Sequence, residues 1–374
     1  MNDRERFIAT LTFGNPDKVC LQIGGGREST LKRWHEEGLP EGVNPADFVL
    51  DELGVSREKH QVVEGFFFNQ RMNPIFEEKV LSHENGHYIV QDWMGAITEI
   101  SDQYDYTYIR NAIDFVTRKW HKFPVQTHED WEEMKKRFNP GDPERLPVNL
   151  AELAPALKQR TYPLTIHING PFWQLREWMG FENLCMAFID SPEFVAEMVE
   201  FWTGFITKLL ERLLPHVQPD CVHYQEDMAY KAHPMISPAM TREFLLPSYL
   251  KWNGLCRQYG VPVIAMDSDG FVEDLVPVWI DGGINVCDPM EVAAGNDINH
   301  FRELFGRRIA YSGGIDKRAI AKGGKTLEDE IKRIEPVVQS GGYIPDCDHG
   351  IPHDVSLNNY RQFAAHVARI TGWL

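Results

Sequence analysis

The sequence is poor in several features that define whole classes of proteins. Its apolar stretches stay well short of the roughly 18 residues that a membrane-spanning helix needs. The charges around the brief apolar run at the N-terminus do not suit a secretory signal. Six cysteines are scattered without a Cys-x-x-Cys pair. That is too sparse for a disulfide scaffold and predicts a reduced, cytoplasmic environment.

Positive charge is also scarce. The 38 Lys and Arg residues are outnumbered by 55 Asp and Glu residues, which gives a formal net charge of -17. A chain this acidic is not attracted to nucleic acid or to an anionic membrane, so neither is expected as a partner. The content of 43% hydrophobic and 25% charged residues is that of an ordinary globular protein.

What the sequence does contain is a repeating pattern from about residue 161 onward. Short apolar or β-branched runs end in small or polar residues, and a helix-like segment follows each. Strands that alternate with helices predict a parallel sheet, because parallel strands need crossover connections. The predicted strands cover 162–170, 220–227, 261–270, 283–291, 308–317 and 341–350.

Helix start signals between these runs support the pattern. Ser191-Pro192 and Ser237-Pro238 each place a capping residue before a proline at the first helical position. Pro215 ends the first of these helices and Gly260 the second.

Two more strands are needed upstream to complete a barrel. Residues 18–24 are a good candidate for the first strand, and 60–68 are a weaker candidate for the second. Eight units predict a single (β/α)8 TIM barrel over residues 1–374, with an open doubly wound sheet as the alternative. No Gly-x-Gly-x-x-Gly follows the first run, so a dinucleotide cofactor is not supported.

Residues 69–160 fit the repeat poorly. Glu84-Asn85-Gly86 predicts a hairpin turn, since Asn-Gly suits a tight type I′ geometry. A charged helix and a proline-rich loop follow. We interpret 69–160 as an excursion that caps or covers the barrel.

Polar residues collect where the predicted strands end. In a barrel these ends converge on one opening, where barrel enzymes carry their chemistry. Crowded carboxylates raise one another's pKa or require a cation. The opening is therefore expected to bind a metal or cationic group, or to hold protonated acids. The residues are Asn169, Glu226, Asp227, Asp267, Asp269, Asp288, Glu291, Asp316, Asp346, Cys347, Asp348 and His349.

Two pairs are candidate metal ligands. Asp267 and Asp269 are two apart, so both can face the same side of a strand. Cys347 and His349 have the same spacing, and the four together offer the oxygen, sulfur and nitrogen donors that suit zinc. The alternatives are a helix cap and a solvated turn.

Other residues are weighed in the same way. Of Glu226 and Asp227, one should point inward and the other outward. His167 and His223 lie in mid-strand, where a hydrogen-bonded core histidine is the default interpretation. Residues 312–318 lie where many barrels bind phosphate, with a helix cap as the alternative. Candidate substrate-binding residues are Asn169, Phe172, Trp173, Tyr224, Asp316, Lys317 and Asp348, although core packing explains the aromatic ones as well.

Several segments resemble the uroporphyrinogen decarboxylase superfamily of barrels. They are "RERFIATLTFGNPDKVCL", "NGPFWQLREWMGFENL", "YQEDMAYK", "ISPAMTREFLLPSYLK", "DSDGFVEDLVPVWIDGGINVCDPME" and "GGIDKR". The resemblance covers nearly the whole chain and implies the barrel fold. It also implies one of two chemistries. One branch decarboxylates a tetrapyrrole without a cofactor, and the other transfers methyl groups to or from a corrinoid, usually with zinc.

Departures from each branch narrow the choice. The decarboxylases carry Met-Arg-Gln-Ala-Gly-Arg after the first strand, where this sequence has "IGGGRESTLKRW" with Arg27 and Glu28. Poorly paired substrate carboxylates are costly in such a site. The thiol-alkylating methyltransferases carry His-x-Cys where Asp267-x-Asp269 lies here, and Cys347 matches their third zinc ligand. The resemblance thus implies a corrinoid-linked demethylase.

We therefore expect an enzyme that moves a methyl group from a small O- or N-methyl compound to a separate corrinoid protein. Asp267, Asp269 and Cys347 are the expected metal ligands, and Glu226, Asp267 and His349 the expected catalytic residues. Zinc is the expected metal, and a homodimer is compatible with this interpretation. The alternatives are a cofactor-free decarboxylase and a non-catalytic ligand-binding barrel.

Overall fold

The computed structural model describes residues 1–58, 62–107 and 117–374, and the strands of this part of the chain form two sheets. The first sheet is antiparallel and contains β1 (Lys79–Glu84), β2 (His87–Gln91), β3 (Ile97–Ser101) and β4 (Arg118–Lys122). The second contains β5 (Thr165–Asn169), β6 (Cys221–Gln225), β7 (Val263–Asp267), β8 (Val286–Asp288), β9 (Ala310–Ile315) and β10 (Tyr343–Cys347). These six strands are parallel and lie side by side in chain order.

Helices separate the parallel strands, as the repeating pattern predicted. Both Ser-Pro signals mark helix starts, and the Ser237 side chain accepts a hydrogen bond from the Met240 amide. The α-helices cover Asp3–Leu11, Glu28–Glu36, Pro45–Glu52, His128–Lys135, Leu150–Gln159, Pro171–Met179, Phe181–Asp190, Pro192–Leu213, Pro238–Met240, Leu246–Gln258, Val276–Gly282, Ile298–Phe305, Lys317–Lys322, Gly324–Ser340 and Leu357–Ile370. A π-helical turn covers Thr241–Leu245, and short 3-10 helices cover Pro143–Arg145 and Val292–Ala294.

Alternation along the strands divides their side chains into two sets. One set packs beneath the surrounding helices in the large hydrophobic core. The other set faces the centre of the curved sheet, because successive strand residues point to opposite sides. At the amino ends of the strands the central set is small and apolar, and Phe7 and Leu11 of the N-terminal helix pack against it. Its members are Cys221, Val263, Ala265, Val286, Ala310 and Ile344.

In the described residues, no regular strand is found at either of the two predicted upstream positions. Residues 18–24 contain none, and Gly24 has a φ of 62°, which interrupts an extended ladder. The segment nevertheless continues into a parallel bridge between Gly26 and Ile351, just beyond β10. Residues 62–68 also contain no strand, and residues 60 and 61 lie outside the described residues.

A side chain takes the place of the missing ladder at the opposite edge. The amide of Asn169 in β5 donates to the Gln70 side-chain oxygen over 2.9 Å, and Gln70 donates to the carbonyl of His167 over 3.2 Å. The segments before β5 therefore flank the two edges of the parallel sheet, where a barrel places its first two strands.

The excursion at 69–160 contains the predicted hairpin. Asn85 and Gly86 both have positive φ values, 53° and 78°, between β1 and β2. The predicted charged helix is His128–Lys135. The assignment of residues 1–374 to one domain stays a prediction. Within the described residues, every helix is too short or too polar to cross a membrane.

Candidate functional site

A cavity of about 540 Å³ opens at the centre of the parallel sheet. Phe7 and Leu11 lie at its apolar end, and inward-facing side chains of all six parallel strands surround it. Residues 22–25 close the side next to β10. The polar lining groups are Gln22, Thr165, His167, His223, Asp267, Asp269, Asp288, Ser312, Asp346, Cys347 and His349. No lysine or arginine of the described residues lines this cavity.

A histidine–aspartate pair lies in the cavity wall. Nε2 of His223 is 3.0 Å from Oδ2 of Asp288, on the strand two places away. Burial opposes charge on both groups, but their hydrogen bond and mutual attraction outweigh it. The pKa of His223 is raised and that of Asp288 is lowered, with Ser312 also bonding Asp288. The pairing therefore favours the imidazolium form of His223 and the carboxylate form of Asp288.

His167 completes this layer from the neighbouring strand. It is the register partner of His223, and the two rings are 4.9 Å apart between centroids. Burial and the nearby His223 charge both lower the pKa of His167. His167 is thus neutral, with its ring exposed to the cavity.

Asp267 is the register partner of Asp288 and faces the same space. Its burial and the charge of Asp288 raise the pKa of Asp267 to about 8. The charge of His223 lowers this pKa but does not cancel the increase. Asp267 is therefore a protonated acid at neutral pH. A second acid, Asp346, is also raised by burial, to a pKa of about 7, although the amides of Cys347 and Gly24 donate to it.

A further ionic cluster lies at the rim. Nε2 of His349 is 3.1 Å from Oδ1 of Asp269. Burial lowers the pKa of His349, but hydrogen bonds to Asp269 and Asp348 overcome this and raise it to about 9. Asp227 accepts a 3.1 Å hydrogen bond from the Asp269 amide. Asp227 has a φ of 39°, an uncommon backbone state that turns its carboxylate towards the rim.

Three groups of side chains are close enough to hold a metal ion. They are His223 with Asp267 and Asp288, Asp269 with Glu291 and His349, and Asp227 with Asp267 and Asp269. Within each group the candidate ligand atoms lie within 4.8 Å of one another, and in the described part of the chain no cysteine belongs to any group. Carboxylate oxygens with one imidazole suit a hard divalent ion better than a thiolate-bound zinc.

The structure gathers four predicted residues around this cavity. Asp267, Asp269, Cys347 and His349 all line it. Cys347 is 6% exposed and also belongs to the main hydrophobic core. Burial raises the pKa of its thiol far above the usual range. The expected metal set of Asp267, Asp269 and Cys347 stays a prediction.

Other predicted residues connect the loops around the opening. Asp348 is fully buried and accepts hydrogen bonds from the amides of Val292 and Lys317. The Lys317 ammonium group is 3.7 Å from Glu291. Asp316 caps the helix Lys317–Lys322 by accepting from the Arg318 amide, as the helix-cap alternative predicted.

The structure does not bring Glu226, Phe172 or Tyr224 to the cavity. Glu226 is the outward member of its pair, 0% exposed, and accepts hydrogen bonds from the Trp173 amide and the Tyr249 hydroxyl. Phe172 and Tyr224 are also 0% exposed and belong to the main hydrophobic core. Strand alternation explains the result for Tyr224, because it lies between the inward-facing His223 and Gln225.

Asn169 and Trp173 lie at a smaller cavity of about 240 Å³. Asn169 is inward-facing at the end of β5, and Trp173 is the third residue of the helix Pro171–Met179 that follows. Four residues of the main cavity were expected from the sequence only as strand-end or mid-strand residues, without a catalytic or ligand role: His167, His223, Asp288 and Asp346. The signal that could have found them is the two-residue period, which places them on the same face as Asn169, Gln225 and Asp267.

A sequence profile decides the family. The profile described as "Uroporphyrinogen decarboxylase (URO-D)" matches residues 113–370. The chain belongs to the uroporphyrinogen decarboxylase family. The TIM-barrel fold of this family confirms the fold expected from the sequence, and the family resemblance stated from the motifs is also confirmed.

Two solved structures are similar to the chain to different degrees. A "methyltransferase from Methanosarcina mazei" superposes with a TM-score of 0.59 at 15% identity, and the match covers 99% of both chains. A B12-independent methionine synthase from Shewanella sp. W3-18-1, in complex with selenomethionine, matches with a TM-score of 0.38 at 11% identity, over 60% of this chain and 66% of that one. The first likeness shows a shared fold. No curated protein matches the chain by sequence.

Proposed function

We propose that this protein is a methyltransferase that removes a methyl group from a small O- or N-methyl compound and passes it to a corrinoid on a separate protein. The observation that carries the proposal is Asp267. Its carboxyl group faces the cavity, and burial beside Asp288 raises its pKa to about 8. A protonated acid in that position can supply the proton that a departing oxygen or nitrogen needs.

Demethylation makes a specific demand on the protein. When the bond between methyl carbon and oxygen breaks, the electron pair stays on the oxygen, and an unassisted alkoxide leaves poorly. Asp267 would donate its proton to that atom as the bond breaks. The imidazolium of His223, held by Asp288 over 3.0 Å, would stabilise the negative charge that develops on the leaving group and then on Asp267.

The corrinoid would supply a reduced cobalt nucleophile that accepts the methyl group. The main cavity, at about 540 Å³, suits a small substrate and is too small to enclose a whole corrinoid as well. Delivery by a separate protein therefore agrees with its size. The rim residues around Asp269 and His349 would meet the approaching partner.

A metal ion is the alternative source of assistance. Asp227, Asp267 and Asp269, or His223, Asp267 and Asp288, would hold it, and it would polarise the leaving atom as a Lewis acid. Metal binding requires the deprotonated form of Asp267, so the two versions have opposite requirements. A thiolate from Cys347 is less favourable, because burial holds its pKa far above neutrality.

The charge of the cavity disfavours the decarboxylase alternative. Four aspartates line it, and no lysine or arginine of the described chain does so. The cationic groups in the lining are the imidazoliums of His223 and His349, and both are already paired with aspartates. A substrate with several carboxylates would therefore leave most of them unpaired, and buried unpaired anions are costly. A methyl ether or methylamine has no such requirement.

The direct experiment follows methyl transfer to free reduced cobalamin by the absorbance change of the corrinoid. Methanol, trimethylamine and 2-methoxyphenol are suitable methyl donors, and boiled protein is the control. We expect one of these classes to methylate the corrinoid only with intact protein. Carbon dioxide release from a carboxylated substrate without corrinoid, together with no methyl transfer, would instead establish the decarboxylase.

A further inference from the structure

The smaller cavity adjoins the main one at the carboxyl ends of β5 and β6. Asn169 and Gln225 line it from these strand ends, and Trp93 lines it from the turn between β2 and β3. Gln225 is the register partner of Asp267 on the neighbouring strand. Their backbones are therefore about 4.8 Å apart, the spacing of adjacent strands. The two cavities are therefore lined by successive inward-facing residues of the same two strands, His167 and Asn169 on β5 and His223 and Gln225 on β6.

The lining of the smaller cavity is unusually rich in carboxamide groups. Asn169 donates to the Gln174 oxygen over 3.0 Å, and Gln174 donates to Glu177 over 3.3 Å. The Trp173 indole donates to the other oxygen of Glu177 over 2.9 Å. These bonds fix the polar groups relative to one another, so the cavity presents a preorganised surface.

Gln225 differs from the other carboxamides. Its side chain is half-buried and faces this cavity. Its backbone carbonyl accepts a 2.8 Å bond from Gly170, but its side-chain amide bonds to nothing within residues 1–58, 62–107 and 117–374. A carboxamide offers two N–H donors and one oxygen acceptor. The free amide of Gln225 can therefore both donate to and accept from a bound group.

The charges around the cavity do not favour an ionic ligand. Glu177 is its one acid and Arg71 its one base. Burial raises the pKa of Glu177 to about 7, and Arg71 already lies over the Trp93 ring, 5.4 Å from its centroid. An ion that entered would lose its hydration and meet mainly neutral dipoles, which is unfavourable. A neutral amide would exchange its bonds to water for equivalent bonds to the protein.

We propose that this side cavity binds an uncharged carboxamide head group of the substrate, with Gln225 as its principal partner, while the methyl end of the same molecule lies near Asp267. The identity of the methyl end rests on the proposed function, whereas the binding of the head group does not. The spacing of one strand requires only one or two atoms between the two ends. Methoxyacetamide has this length.

Three compounds with the same methyl ether test the proposal. Methoxyacetamide, methoxyacetate and 2-methoxyethylamine carry a neutral, a negative and a positive head, and their dissociation constants are measured by NMR titration without corrinoid. We expect methoxyacetamide to bind about tenfold more tightly than either charged compound, the effect of one or two net hydrogen bonds. Gln225→Met keeps the volume of the side chain and should remove this preference. Gln339→Met, which changes an exposed carboxamide of the helix Gly324–Ser340, should leave the preference intact.

Equal affinities for the three compounds, or an amide preference that survives Gln225→Met, would overturn the proposal. If the Met variant does not fold, Gln225→Glu replaces it, and its new carboxylate should turn the preference towards 2-methoxyethylamine. The experiment also separates the two proposals. An amide preference without any methyl transfer would support the head-group site and contradict the proposed methyltransferase function. Methyl transfer without a head-group preference would support the methyltransferase function and contradict the head-group site.

Discussion

The pH dependence of stability gives a sharp prediction for Asp267. In the folded protein its pKa is raised from 3.8 to about 8, mainly by burial. The unfolded chain therefore loses this proton at lower pH than the folded chain does. Below about pH 4, Asp267 is protonated in both the folded and the unfolded chain. As the pH rises from about 4 to about 8, its contribution lowers the free energy of unfolding progressively. The free energy of unfolding falls by about 1.4 kcal/mol per pH unit over that window.

The Asp267→Asn variant isolates this contribution. Asparagine keeps the shape but cannot ionise, so the variant should gain stability relative to the wild type between pH 5 and pH 8. The total gain should be on the order of a few kcal/mol, because coupling to Asp288 and His223 divides the effect among three groups. Urea denaturation at pH 5, 6.5 and 8 measures it. The exposed Asp51→Asn is the matched control and should show no such trend.

The same variant should lose catalysis. Removing a general acid typically costs about 10²–10⁴-fold in rate, so kcat/KM for methyl transfer should fall by that factor. A variant that is both more stable at pH 8 and much less active is the signature of a strained catalytic acid. The reasoning fails if Asp267→Asn shows the same pH dependence of stability as the wild type.

Four further predictions concern other groups. His223→Gln removes the imidazolium beside Asp288 and should lower kcat/KM by about 10²-fold in the methyl-transfer assay. Glu226→Gln weakens buried hydrogen bonds behind the sheet, so urea denaturation should show a loss of about 1–3 kcal/mol with little change in kcat/KM. Cys347→Ala should give the same calorimetric response to added zinc as the wild type, and a stoichiometric zinc binding that the variant loses would favour the thiolate-containing set instead. Phe7→Ala opens the apolar end of the cavity and should cost about 3–5 kcal/mol of stability.

The regular part of the fold was predictable from local patterns. Six strand and helix units with clear caps repeat after residue 161, and each of them is present. The first two strands were less predictable. The positive φ of Gly24 interrupts the extended backbone at the first position, and at the other edge of the sheet the Gln70 side chain accepts a hydrogen bond from β5 in place of a strand backbone. Such replacements depend on distant residues and leave no periodic signal.

The site was predictable only in part. Asp267, Asp269 and His349 share an opening because the carboxyl ends of parallel strands converge, which is a rule of the fold. The roles of His167 and His223 depend on register between strands, which one sequence does not specify. Glu226 was expected at the cavity but lies on the outward side of the sheet, because the sequence did not tell which member of the Glu226–Asp227 pair points inward.

Infrared difference spectroscopy of the Asp267 carboxyl group tests the central claim most directly. The carbonyl band of a protonated acid is compared between the wild type and Asp267→Asn from pH 5 to pH 9. We predict a band that is present at neutral pH, disappears near pH 8 and is absent from the variant. A wild-type spectrum in which this carboxyl group is already ionised at pH 6 would contradict the account.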